Sequence, residues 1–279
     1  MLVARYGDGA GGKVSTRRQA KLQLLVAKLG TSQRLSRYMH MVKTVQVTMN
    51  GLVLGATGLC GGAFLRQAQE APQFAKVFAI LRRELPSPAA NKVVAVVEKD
   101  ISQWPALISE EMHPQVLFTA LATTRAAAGG LDKQYKIDHD LNMQLARAAK
   151  DRGCDTIVLV SSAGAHVDSR FGYMKMKGEI ERDIIALNFK HTIILRPGPL
   201  LGKRTNSKQN GFGGNLAAAL GARVYRSRLQ SWLGYPVYGD DVGKAGVHLA
   251  LNPSEKDKVQ FVSSKDILDI TSSLGKNNA

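Results

Sequence analysis

Cysteine is nearly missing from this chain, with two in 279 residues, Cys60 and Cys154. They lie far apart and show no metal-ligand spacing. That excludes a disulfide framework or a cysteine-based zinc site, and fits a reducing compartment. The six histidines show no ligand spacing either. No apolar run approaches the ~18–20 residues that a membrane-spanning helix needs. Acidic residues are also short in number, 22 against 38 basic, for a net charge of +16. The shortage is sharpest at the start. Residues 1–48 hold nine basic side chains and one acid, Asp8, so half of the net charge sits in this stretch. The rest is spread thinly, which argues against a nucleic-acid-binding surface as the source of the imbalance.

Residues 1–48 read as a unit apart from the fold. Leu22, Leu25, Val26 and Leu29 recur at helical spacing, with Arg17, Arg18, Lys21 and Lys28 beside them. A mitochondrial targeting segment has this composition, and a basic amphipathic helix also suits an anionic membrane surface. A disordered basic tail, or translation beginning at Met49, fits it equally.

From Met49 onward, apolar runs alternate with helical patterns. The runs are 50–55, 76–81, 92–97, 115–121, 156–162, 192–197 and 258–264. They are rich in Val and Ile and do not alternate with polar residues, as expected of strands buried on both faces. Helical patterns fall at 59–70, 131–150 and 172–188. This order predicts an α/β fold: a Rossmann-type doubly wound parallel sheet in one domain, 49–279. The Gly-, Arg- and Lys-rich segment near 199–240 is a small substrate-side elaboration of it.

The first strand runs into Gly55-Ala-Thr57-Gly58-Leu59-Cys60-Gly61-Gly62. Glycines at this spacing allow a tight turn, a close backbone approach to a diphosphate and close helix–sheet packing. The helix mouth then offers N–H groups to the phosphates. The second strand ends at Arg82-Arg83, about where an acid would grip the ribose of NAD. Guanidinium groups there suit the 2′-phosphate of NADP, so the predicted cofactor is NADP(H). Asp100, after the third strand, is a candidate adenine contact. Cys60, at a helix N-terminus, reads first as a small buried filler.

The fifth run closes at Ser161-Ser162, and Tyr173 and Lys177 follow at i, i+4 on a helix, so they share a face. A phenol with pKa about 10 is a poor proton donor near neutrality, and a nearby ammonium lowers that value. A serine hydroxyl can hold a carbonyl or alcohol oxygen. Ser162, or failing it Ser161, together with Tyr173 and Lys177 forms the candidate catalytic group. His166 follows the serines and reads as a loop residue. The basic stretch Lys203, Arg204, Lys208, Arg223, Arg226 and Arg228 is suited to an anionic substrate, a lipid head group or plain solvent.

The motifs GATGLCGG, VSSAG, YMKMK and LRPGPL resemble those of the short-chain dehydrogenase/reductase superfamily. LATTRAAAGG, KIDHDLN and FGYMKMKGEIE narrow the likeness to its atypical branch, which includes the Tat-interacting-protein oxidoreductases. Over 49–279 the chain is most similar to a fungal family named for its presence in the mitochondrial proteome. The resemblance implies Tyr173 as acid/base, Lys177 as its tuner and nicotinamide-ribose ligand, and Ser162 as the substrate-orienting residue. It also implies Gly55, Thr57, Gly58, Leu59, Cys60, Gly61, Arg82, Arg83 and Pro197 around the nucleotide. Asp138 stands at the position where many superfamily members carry a catalytic Asn. The expected activity is hydride transfer between NADP(H) and an unidentified carbonyl or alcohol. The alternative is a nucleotide-binding scaffold or redox sensor with little turnover. The implied location is the mitochondrial outer membrane, as a peripheral protein.

Overall fold

The structure is a computed structural model that describes residues 48–85, 91–202 and 223–276. The helix expected within 1–48 lies outside these residues, as do Lys203, Arg204 and Lys208.

All seven apolar runs become parallel strands of one sheet. They are β1 (Met49–Leu54), β2 (Phe74–Leu81), β3 (Val93–Val97), β4 (Val116–Thr119), β5 (Thr156–Val160), β6 (His191–Arg196) and β9 (Val259–Ser263). The spatial order is β3-β2-β1-β4-β5-β6-β9. Two-residue strands β7 (Leu200–Leu201) and β8 (Val237–Tyr238) pair separately in parallel. Side chains of a strand point alternately to the two faces, and β1 shows the result. Leu52 and Leu54 join the apolar cluster on one face, and Val53 joins the cluster on the other. Both faces are covered, which explains the unbroken apolar runs.

The face of Val53 is closed by α1 (Leu59–Glu70), α7 (Gly239–Leu251) and α8 (Ser264–Lys276). Phe64 of α1 packs on Phe118 of β4 at a ring separation of 5.1 Å. The face of Leu52 and Leu54 carries α2 (Trp104–Leu107), α5 (Asn142–Asp151) and α6 (Gly172–Ala186), with Leu145, Met176, Ile180 and Ile184 buried against it. Short helices α3 (Arg125–Ala128) and α4 (Leu131–Tyr135) stand between β4 and α5.

Two features depart from the sequence reading. The helix expected over 131–150 is interrupted by a π-helical turn, Lys136–Leu141, between α4 and α5. Helices α7 and α8 carry no helical signal in that reading. In α7, Gly239, Gly243 and Gly246 depress helix propensity, while the packed structure sets Gly243 against Ala63 and Gly246 against Phe64. Tertiary fit outweighs propensity, helped by a capping box between Tyr238 and Asp241.

The strand order reverses between β1 and β4: the chain steps outward to β3 on one side and to β9 on the other. Loops leaving the carboxyl ends of β1 and β4 therefore diverge and leave a crevice between them, the usual place for a ligand in such sheets.

Candidate functional site

A cleft of about 840 Å³ opens at that crevice. Segments that follow the strand ends line it: Gly55–Cys60 after β1, Leu81–Arg83 at β2, Ala120–Arg125 after β4, and Val160–Ser161 at β5. Tyr173 and Lys177 come from α6, and Gln134 from α4. Among the described residues, the lining holds four cations, Arg82, Arg83, Arg125 and Lys177, and no carboxylate. Such a surface favours a polyanionic ligand.

The glycine loop is shaped by backbone. Gly55 has φ +78°, a left-handed conformation that favours glycine, and Gly58 N–H donates to its carbonyl at 2.8 Å. A Cβ on Gly61 would sit 2.1 Å from the Gly55 carbonyl oxygen, so α1 can start this close to β1 only with glycine there. Gly58 forms the N-cap of α1, and no side chain caps this twelve-residue helix. First-turn amides lack partners within a helix, and the dipole adds positive potential at this end. Leu59 and Cys60 of that turn line the cleft; Gly61 lies behind it as packing. Cys60 is buried, in keeping with a filler.

Arg82 and Arg83 are exposed at the end of β2, on the cleft wall. Beside them are Ile80, Leu81 and Trp104. The Trp104 ring is 2% exposed, and its indole N–H donates to the Glu98 carbonyl at 3.0 Å. Sequence reasoning overlooked this tryptophan and singled out Asp100. The Asp100 carboxylate instead caps the turn Ile101–Gln103, accepting from the Ser102 hydroxyl and amide at 2.7 and 3.0 Å. Those bonds hold its carboxyl below the ordinary value.

At the other end of the cleft, Tyr173 is 41% exposed. One turn further along α6, Lys177 is 3% exposed, with its Nζ 6.0 Å from the Tyr173 ring centre. The lysine donates a long bond, 3.4 Å, to the Val160 carbonyl at the end of β5. Ser161 is buried and lines the cleft, and its Oγ has no hydrogen-bond partner among the described residues. Ser162 is half-buried, lies off the lining, and bonds to the Ala163 carbonyl at 3.3 Å. Strand parity accounts for the difference. Ile157 and Leu159 pack on the α6 side of the sheet and Val158 on the opposite side, so residue 161 continues the α6-facing set. The alternation itself was readable in the sequence, but which face α6 covers was not.

Asp138 lies in the π turn and is fully buried. Its Oδ1 accepts from the Thr123 amide at 2.6 Å, and its Oδ2 has no partner. Burial pushes this carboxyl above its ordinary value; Lys177 is the largest influence holding it down, followed by Thr123 and Gln134. Asn142, one turn on, receives the Thr119 hydroxyl proton at 2.5 Å and donates to the carbonyls of Leu121 and Asp138. These bonds fix the β4–α3 loop and the π turn together. Thr123, Gln134 and Arg125 on the cleft wall were not singled out from the sequence.

Three named residues fall elsewhere. Pro197 is buried behind the loop that follows β5, its carbonyl accepting from the Ala163 amide at 2.9 Å. His166 is exposed on a loop and its Nδ1 accepts from the Asp168 amide at 3.2 Å. Arg226 forms an ion pair with Asp241 at 3.2 Å, away from the cleft lining.

Comparisons with known proteins agree with this architecture. Solved structures of similar fold include UDP-glucose 4-epimerase from Thermotoga maritima with UDP-glucose, at TM-score 0.57 and 16% identity, covering 77% of each chain. The Bordetella bronchiseptica enzyme WbmG in complex with NAD matches at TM-score 0.57 and 15% identity, over 80% of this chain and 78% of that one. ADP-L-glycero-D-manno-heptose-6-epimerase of Helicobacter pylori matches at TM-score 0.56 and 20% identity, over 81% and 82%. At these identities the likeness is one of fold. The HIM1 family model matches residues 113–226. Among sequence relatives, "Protein FMP52, mitochondrial" of Kluyveromyces lactis is 56% identical, over 80% of this chain and 98% of its own length. The Saccharomyces cerevisiae protein of the same name is 83% identical, over 82% of this chain and 99% of its own length. With identity this high along nearly the whole of those relatives, the chain belongs to the FMP52 family.

Proposed function

We propose that this protein is an NADP(H)-dependent oxidoreductase of mitochondria, acting between a carbonyl and an alcohol on a small-molecule substrate. The observation that carries the reading is a single cleft with phosphate-binding features at one end and Tyr173, Lys177 and Ser161 at the other. A nicotinamide dinucleotide fits the residues present. The backbone of the turn Gly55–Cys60, the amide-bearing mouth of α1 and the cationic charge of the described lining suit a diphosphate. Arg82 and Arg83 would hold the 2′-phosphate, Trp104 and Ile80 would face the adenine, and Lys177 would hold the nicotinamide ribose. The nicotinamide supplies or accepts hydride when bound. Tyr173 gives the proton to the substrate oxygen or takes it back, and the Ser161 hydroxyl, with no other bond to make, orients that oxygen. The names of the relatives support the mitochondrial assignment, and the NAD complex of WbmG supports the choice of nucleotide class.

The test is turnover by the full chain with NADPH and with NADP⁺, across a panel of aldehydes, ketones and alcohols. Tyr173→Phe should lower the rate about 10²–10⁴-fold and leave nucleotide affinity unchanged. Unaltered turnover in that variant would remove Tyr173 from the chemistry. Tight nucleotide binding without turnover on any substrate supports the second reading, a nucleotide-loaded scaffold or redox sensor. Asp138, fully buried at the position where many members of the resembled superfamily carry a catalytic Asn, favours that reading.

A peripheral place on the mitochondrial outer membrane is part of the same proposal. No helix of the described residues is long and apolar enough to cross a membrane. The turn Gln230–Leu233 exposes Trp232 at 87%, and Leu229 and Leu233 are also exposed, with Arg223 and Arg228 near them in the chain. Aromatic and aliphatic side chains beside cations suit an anionic lipid surface. Trp104 is buried, so a blue shift in tryptophan emission on adding anionic vesicles reports on Trp232. The shift and co-sedimentation should vanish in Trp232→Ala and with neutral vesicles. Equal binding by the variant would exclude this surface.

A further inference from the structure

The two edges of the main sheet are finished differently. At one edge, β9 mixes polar and apolar residues, and the Arg196 guanidinium lies over its exposed Phe261 ring at 4.3 Å. At the other edge, β3 reads Val93-Val94-Ala95-Val96-Val97, with no charge and no proline, and it pairs with β2 without a bulge. Val94 is 36% exposed and Val97 40%, and Ala95 is exposed between them. Edge strands normally carry a charge, a proline or a bulge, because a bare edge invites another strand.

The ladder to β2 fixes which backbone groups face outward. The Val77 amide donates to the Lys92 carbonyl at 2.9 Å, and the Glu98 amide donates to the Leu81 carbonyl at 2.8 Å. Even-numbered residues of β3 therefore turn their backbone groups toward β2. Those of Val93, Ala95 and Val97 face the open edge, where no described strand meets them. The side chains alternate as well. Val93 packs with the cluster on the face of Val53, and Val96 with that of Leu52 and Leu54.

We propose that β3 is a docking edge for a second copy of this chain, the two β3 strands pairing antiparallel about a two-fold axis at Ala95. The strand is its own complement in that register. The axis sets Ala95 opposite Ala95, Val94 opposite Val96 and Val93 opposite Val97 of the second copy. Each outward N–H and C=O then meets an outward partner, and each apolar side chain lies across from another. Just beyond the strand, Lys92 falls opposite Glu98. Neither forms an ion pair among the described residues. Lys92 Nζ donates to the carbonyls of Ala71 and Phe74 at 2.7 and 3.4 Å, and Glu98 Oε1 accepts from the Asp100 amide at 2.7 Å. The axis thus brings opposite charges together at both ends of the paired strands and sets no like charges face to face along them. No residue of β3 lines the cleft, so pairing joins the two sheets and leaves both clefts open. The pairing does not depend on the activity proposed above.

The test is sedimentation velocity of the full chain over rising concentration. The expected result is a reversible passage from monomer to dimer and nothing larger. Ala95→Lys sets two ammonium groups against each other at the axis, on an exposed position whose own backbone groups do not bond to β2. It should weaken the dimer about tenfold or more and leave the far-ultraviolet circular dichroism unchanged. Ala95→Cys gives a second readout, since the axis holds the two Cα atoms about 5.5 Å apart, a spacing that a disulfide spans. Cys60 and Cys154 are buried. Mild oxidation of Ala95→Cys should therefore give a covalent dimer, and Lys99→Cys, exposed but far from its own copy, should give none. A chain that stays monomeric at every concentration, as it would if residues 1–47 or 86–90 covered this edge, overturns the proposal. So does a dimer that Ala95→Lys leaves intact and Ala95→Cys does not lock, because another surface would then hold it. Open-ended assembly in place of a dimer overturns it too.

Discussion

At one end of the cleft the recognising groups belong to the backbone; at the other they are side chains brought in from four separate elements. The proposed nucleotide end rests on the turn Gly55–Gly61, where the amides, the close approach of α1 to β1 and the left-handed Gly55 are fixed by one short segment. The proposed reactive end draws on Ser161 just after β5, Tyr173 and Lys177 of α6, Gln134 of α4 and, behind the lining, Asp138 of the π turn. A backbone site tolerates many neighbours but no Cβ. A side-chain site tolerates shape but depends on charge balance. Substitutions at the first end should therefore act through sterics, and those at the second through electrostatics.

The largest expected effect comes from Gly61→Ala. Its Cβ would meet the Gly55 carbonyl at 2.1 Å, against backbone that cannot move aside. We expect loss of measurable affinity for NADPH and NADH together, and a stability loss of about 1–3 kcal/mol in denaturant unfolding. Retained binding would mean that the loop relaxes, and would blur the contrast between the two ends. Next come Arg82→Ala and Arg83→Ala, the charged exception at the backbone end. Each should weaken NADPH binding about 10–100-fold, as for the loss of a charge-assisted hydrogen bond, and leave NADH nearly untouched. Isothermal titration with both nucleotides checks this. Equal losses for both would take the arginines away from the 2′-phosphate.

The smallest effect belongs to the outer face of α6. The Arg182 guanidinium, then the His139 ring, hold the Asp183 carboxyl below its ordinary value. A carboxylate so lowered contributes stability that is fully present above about pH 3.9, its unfolded value, and that is lost as pH falls through the lower folded value. The thermal midpoint of Asp183→Asn should lie slightly below that of wild type at neutral pH. The gap should close in strong acid. A gap independent of pH would assign the residue a shape role instead.

The same contrast explains what the amino-acid order disclosed. Seven strands were legible because a sheet buried on both faces forces unbroken runs such as Thr156–Val160. The glycine loop was legible because its geometry depends on spacing alone, and Tyr173 and Lys177 because i, i+4 residues share a helix face. The partners of those side chains were harder to see. Trp104, Thr123, Gln134 and Arg125 reach the cleft through the strand order and the short helices α2 to α4, which no local pattern specifies. The π turn adds an irregularity to a helix whose apolar period looked continuous, and so changes which side chains turn inward. Helix α7 stayed hidden because its glycines read as loop until their contact with α1 is known. The choice between Ser161 and Ser162 required the parity of β5, a long-range fact about which face α6 covers.

Titration of the full chain with NADPH and with NADH, followed by nicotinamide fluorescence, tests the central claim most directly. The account predicts saturable binding of both, with NADPH at least about tenfold tighter, the margin that one extra charge-assisted phosphate contact supplies. A folded protein with no affinity for either nucleotide would contradict it.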